Sequence, residues 1–167
     1  MIMGGISFGI LLGILTSVYL FFVALFAAIV LYTVISYTFE GISVMSMSKR
    51  AGRKNTIAVW VPFYSKYLLG KAASNKGAGA ASGVLTALVF GCCVWLYMYR
   101  EPETVVFALL GVSLFIGFII DTIIAHGIFK SRTRKYGDVL TVVNVLTLGL
   151  LRPILLFAVR NRSTGNV

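Results

Sequence analysis

Residues 6–37 read ISFGILLGILTSVYLFFVALFAAIVLYTVISY. No charged side chain interrupts them, and the next one along the chain is Glu40. A helix needs roughly 20 apolar residues to cross the hydrocarbon of a bilayer, so this stretch is long enough. Lipid cannot satisfy backbone N–H and C=O groups, which makes a helix the default form. A β-barrel strand would alternate in polarity over roughly ten residues, whereas this stretch is apolar all round. It does not read as a cleavable leader: Met1 to Ser7 carries no positive side chain, and no small-residue cleavage site precedes polar sequence. Neither end carries a lipidation motif.

Three more apolar blocks follow. Residues 77–99 contain no charge, 104–129 contain Asp121 and His126, and 139–159 contain Arg152-Pro153. Across the 167 residues, 59% are hydrophobic, 12% are charged, and mean hydropathy is +0.94. A soluble globule of this size leaves too much surface in water to hide so many apolar side chains. Disordered chains are poor in such residues. Nucleic-acid binding lacks both a motif and a folded soluble domain, despite a net charge of +10. The composition predicts an all-α, polytopic integral membrane protein forming a single membrane domain over 1–167. It has three transmembrane helices (about 6–37, 77–99 and 104–129) plus Pro-containing interfacial or re-entrant segments.

The charge is distributed unevenly. Seven Lys or Arg lie in 38–76 and four in 130–138, while the turn at 100–103 holds one and the N-terminus none. Short basic loops stay in the cytoplasm, which predicts an N-terminus outside. Trp95, Tyr97 and Tyr99 then fall at the outer interface. The block at 139–159 conflicts with this rule if it spans, because Arg160 and Arg162 would end outside. Proline removes a helical hydrogen bond and kinks the helix, and Gly149 adds a second weak point. A re-entrant hairpin entering and leaving on the cytoplasmic side resolves both problems; a fourth span is the alternative.

Between the first two spans, helix is expected to continue to about Arg50, with a turn at 51–55. The next stretch, 56–71, is apolar but too short to cross, with Pro62 in its middle. Trp60, Tyr64 and Tyr67 with Lys66 and Lys71 suit a headgroup-level segment, rings at the boundary and ammonium groups reaching phosphates. The pattern Trp60-Val61-Pro62-Phe63, three residues, then Tyr67-Leu68-Leu69-Gly70-Lys71 resembles one in small multi-pass membrane proteins of Gram-positive bacteria. That group has no assigned activity. Arg134-Lys135-Tyr136-Gly137 and the end from Pro153 to Arg162 extend the resemblance to about a third of the chain. It implies a bacterial plasma membrane. The same segments suggest an internal repeat, a basic pair followed by a Pro-containing apolar stretch after each inward-running helix.

Asp121 and Arg152 are the intramembrane charged residues. A carboxylate at mid-membrane costs about 2.5 to 3.5 kcal/mol on insertion scales and is usually paired. The plainer role for Asp121 is a structural partner of Arg152, Thr122 or a basic loop residue, and the sharper role is an ion or proton site. Glu40 is expected to pair with nearby cations as the first helix leaves the membrane. Gly5, Gly9 and Gly13 place a small residue at every fourth position, and Gly79 and Gly83 repeat the spacing; such stripes let helices approach closely. Cys92 and Cys93 read as packing residues, and His126 as an interfacial histidine. One histidine and one carboxylate do not make a metal site. Gly70-Lys71 is not a phosphate loop, because the earlier glycine and the following Ser or Thr are missing. No Ser, His and acid set is present for nucleophilic catalysis.

These readings predict a non-enzymatic membrane protein without cofactor or metal. It would act by binding membrane lipids, including anionic headgroups, or a membrane-protein partner or second copy, in an assembly, immunity or accessory role. The alternative is a small oligomeric transporter or channel using Asp121 and Arg152.

Overall fold

The computed structural model describes residues 3–52, 57–99, 104–133 and 135–162. Among them every regular element is helical. Arg53, Lys54, Arg100, Glu101, Glu103, Arg134 and the tail after Arg162 lie outside the described residues, as do the surroundings of Gly5. Three helices are long and apolar enough to cross a membrane: α1 (Met3–Arg50), α3 (Lys76–Tyr99) and α4 (Thr104–Thr133). The shorter helices are α2 (Pro62–Ala72), α5 (Gly137–Leu146) and α6 (Arg152–Val159), with one 3-10 turn at Ile57–Trp60.

The chain divides into two units, Met1–Tyr37 and Thr38–Val167. In the first, large apolar side chains such as Leu20, Phe26 and Leu31 are exposed. Thr16, Ser17 and Thr33 donate their hydroxyls to the carbonyls of Leu12, Gly13 and Ile29, so these polar groups need no outside partner. A Cβ at Gly9 or Gly13 would meet nothing within 4 Å.

The second unit holds the core. Val44 and Met47 from α1, Val59, Leu68 and Leu69, Ile124, Ala125, Ile128 and Phe129 from α4, and Leu156 and Val159 from α6 pack together. All of these lie toward the helix ends that carry Lys and Arg, called the basic end below. Further along α3 and α4, side chains such as Phe90, Phe107 and Phe115 are exposed, as lipid-facing positions require.

Among the described residues, Pro62 and Pro153 start helices rather than break them. Pro62 opens α2 after Val61, and Pro153 is in the first turn of α6. The missing N–H costs nothing there, since those N–H groups have no intrahelical acceptor. From the 3-10 turn, where Trp60 lies against Gly41, the chain enters α2, which runs antiparallel to α3. Phe63 carbonyl oxygen would lie 2.9 Å from a Cβ on Gly83, and a Cβ on Gly70 would lie 2.2 Å from the Cα of Gly79. Only glycine at both positions permits this approach. Gly79 and Gly83 are therefore the seat of α2, and Gly70 completes the contact.

Residues 139–159 do not form one helix. α5 ends in a turn in which Leu148 and Gly149 both have positive φ, 51° and 80°. Gly149 N–H bonds to Asn144 carbonyl at 2.8 Å and Leu148 N–H to Val145 carbonyl at 2.9 Å, a Schellman cap. The tip sits beside Phe118, well inside α4. α6 then returns to the basic end, where Arg132 Nη1 donates to the carbonyls of Arg160 and Arg162 at 3.0 and 2.8 Å. The segment is a helical hairpin with both ends beside the same end of α4. α2 closes with the same cap: Asn75 N–H bonds to Gly70 carbonyl at 2.9 Å, and Ser74 has φ 60°. Asn75 then caps α3, its side chain accepting from Ala78 N–H at 3.0 Å.

Candidate functional site

Four charged side chains from four helices meet in the second unit. Glu40 comes from α1, Lys66 from α2, Asp121 from α4 and Arg152 from the first residue of α6. Lys66 Nζ lies 2.9 Å from Glu40 Oε1 and 2.9 Å from Asp121 Oδ2. Arg152 donates through Nη1 to Asp121 Oδ2 and through Nη2 to Glu40 Oε2 at 3.5 Å. Each cation thus touches both carboxylates, and the cluster is neutral. A fifth helix joins through Ser82 on α3, whose hydroxyl donates to Asp121 Oδ1 at 2.5 Å. By helical rise, Ser82, Glu40 and Asp121 lie about 9, 15 and 18 Å from the basic ends of their helices.

The four side chains are only 13–18% exposed. Charges at that burial lose much hydration, and only close pairing in good geometry compensates. Both Asp121 oxygens are taken, by Ser82 on one side and by the two cations on the other. Thr122, a candidate partner by sequence, instead donates to the Phe118 carbonyl.

Lys66 corrects the expectation that it faces lipid headgroups. Because α2 begins at Pro62, Lys66 falls one turn in, next to the buried Ser65 and one residue from the core-packed Tyr67. Its ammonium binds carboxylates rather than phosphates. Tyr67 also differs from a lipid-facing ring, since it packs against the core and its carbonyl lies against Gly79. Trp60, Tyr64 and Lys71 are exposed, Lys71 at the basic end. Cys92 is buried but Cys93 is exposed, so only the first packs. Ser82 was not legible as a functional residue. A serine nearly two turns into an apolar helix carries no signal until the carboxylate facing it is known.

On the side of the cluster away from the basic end lies a cavity of about 330 Å³ between α3, α4 and the hairpin tip. Lys66, Ser82, Thr86, Ser113, Asp121 and Arg152 supply its polar lining. Leu85, Val89, Leu114, Phe118 and Leu148 form apolar walls. Such a site can take a molecule with one polar group and an apolar body. His126, on another face of α4, stands apart from this cavity, with its Nδ1 2.9 Å from Thr141 Oγ1 and 3.9 Å from Asp138. Among the described residues no three of His, Cys, Asp and Glu come close enough together to hold a metal ion. In comparisons with known proteins, the chain matches no family model, no curated protein and no solved structure.

Proposed function

We propose that this is a non-enzymatic protein of the bacterial plasma membrane that binds a membrane-resident amphiphile. The ligand's polar group would meet Arg152 and the Thr86 and Ser113 hydroxyls, and its apolar body would lie along Leu114 and Phe118. The observation that carries the reading is the cavity itself: charged side chains line one part of it, and apolar walls from α3 and α4, two helices long and apolar enough to cross a membrane, surround the rest. The bacterial membrane is supported by the resemblance through Trp60 to Lys71. An N-terminus outside is supported by the gathering of Arg50, Lys71, Arg132 and Arg160 at one end, because basic ends stay in the cytoplasm.

Transport is the weaker reading. A carrier needs Asp121 to exchange partners, and here both of its oxygens are occupied by groups from α2, α3 and α6. Photocrosslinking tests the binding reading. A benzophenone side chain replaces Leu114 in the cavity wall, and a control replaces the exposed Phe107 on the same helix. One lipid class enriched at Leu114 over the control is the expected result. Identical adducts at both positions would overturn the proposal, and a protein adduct specific to Leu114 would replace the amphiphile with a protein partner.

A further inference from the structure

A second cavity, of about 250 Å³, opens at the basic end. Met47, Ser48, Arg50 and Ala51 of the α1 end, Leu68, Lys71 and Ala72 of α2, and Arg132 of α4 line it. Three of these residues are cations and none is a carboxylate. That contrasts with the neutral cluster deeper in the unit, where each cation has two acids.

The two guanidinium groups are held in place by the turn after α6. Arg50 Nη1 donates to Asn161 carbonyl at 2.5 Å, and its Nη2 lies 3.5 Å from Asn161 Oδ1. Arg132 Nη1 donates to the carbonyls of Arg160 and Arg162. Arg132 Nε is buried without a hydrogen-bond partner. Arg50 and Arg132, which both line this cavity, lie close enough for their charges to repel. Carbonyl oxygens orient these groups but leave their positive charge unmatched. An anion seated between the three cations would offset that repulsion. Planar guanidinium groups suit phosphate oxygens in particular.

We propose that Arg50, Lys71 and Arg132 form a binding site for a phosphate-type anion at the basic end of the bundle. The inference deepens the binding role proposed above but rests on a different cavity, so either can fail alone. The phosphate can belong to an anionic lipid headgroup or to a soluble ion, and the test separates them.

Full-length protein is placed in nanodiscs of phosphatidylcholine, with or without phosphatidylglycerol. Retained lipid is counted by native mass spectrometry, and thermal stability is followed as inorganic phosphate is added. Lys71→Gln is the main variant because its side chain is exposed; Arg132→Gln is the second, and Lys130→Gln removes the same charge outside the cavity. Retention of phosphatidylglycerol that falls about fivefold in Lys71→Gln, equivalent to about 1 kcal/mol per cation near a charged surface, and is unchanged in Lys130→Gln supports a headgroup site. Stabilisation by inorganic phosphate alone, lost in Lys71→Gln, supports a site for the soluble ion. No response to either probe, or equal losses in Lys71→Gln and Lys130→Gln, would overturn the proposal.

Discussion

Replacing Lys66 with Met deletes one positive charge from the four-membered cluster and leaves Glu40 and Asp121 facing Arg152 alone. The cluster then holds a net negative charge at a depth where its members are less than one-fifth exposed. Removing one partner of a buried pair costs about 3 to 5 kcal/mol, because the remaining charge is uncompensated. Asp121→Asn has the opposite imbalance and a cost of the same order. It also exchanges the Ser82 acceptor from carboxylate to amide oxygen, a smaller loss. The double variant restores neutrality, with Glu40 and Arg152 still 3.5 Å apart. It should therefore be less destabilised than the sum of the single variants by about 2 to 3 kcal/mol, toward the upper range for directly interacting residues. Denaturant titration of the four proteins in one mild detergent measures this coupling. Additive single effects would refute the reasoning, since additivity means that Lys66 does not share an environment with Asp121.

Other outcomes follow from the backbone. Gly70→Ala should cost 3 kcal/mol or more, or prevent folding, because its Cβ would lie 2.2 Å from Gly79 Cα; about 3 kcal/mol is the upper part of the range for overpacking. Gly13→Ala, with nothing within 4 Å, should be neutral or stabilising by about 0.5 to 1 kcal/mol, and the same denaturant titration compares the two. Leu148→Gly relieves a side chain held at φ 51° and should stabilise the hairpin by about 1 kcal/mol; an unchanged or lower midpoint would count against the left-handed turn. Cysteines placed singly at Lys49 and Arg162, with Cys92 and Cys93 changed to Ser, should label from the same side of the membrane. Labelling from opposite sides would be incompatible with a hairpin that returns to Arg132.

Hydropathy located the spanning elements well. The blocks at 77–99 and 104–129 correspond to α3 and to all but the last turn of α4, because lipid imposes one local rule on every residue of a span. The pairing of Asp121 with Arg152 was legible for a similar reason: two isolated charges in successive apolar blocks need each other. Lys66 was misread because rings and lysines around a proline suit a headgroup-level segment and a buried one equally. What separates them is the position of Glu40 and Asp121, which are 26 and 55 residues away. Pro153 looked like a kink in a span, although at a helix start it has no hydrogen bond to lose. Gly70 drew notice in the Trp60–Lys71 pattern and in a failed phosphate motif but not as a packing contact, since the glycine it meets lies on another helix and no local pattern announces the contact.

The cluster has a bearing on how the chain is made. Translation delivers its members in the order Glu40, Lys66, Asp121, Arg152, alternating in sign. Each acid is followed by a cation before the next acid leaves the ribosome. The nascent protein therefore never has to hold more than one unmatched charge of this set in the bilayer. Residues 100–103 separate two segments that are each balanced within the cluster. A ribosome pausing there would leave behind an insertion intermediate with its own acid and base already matched.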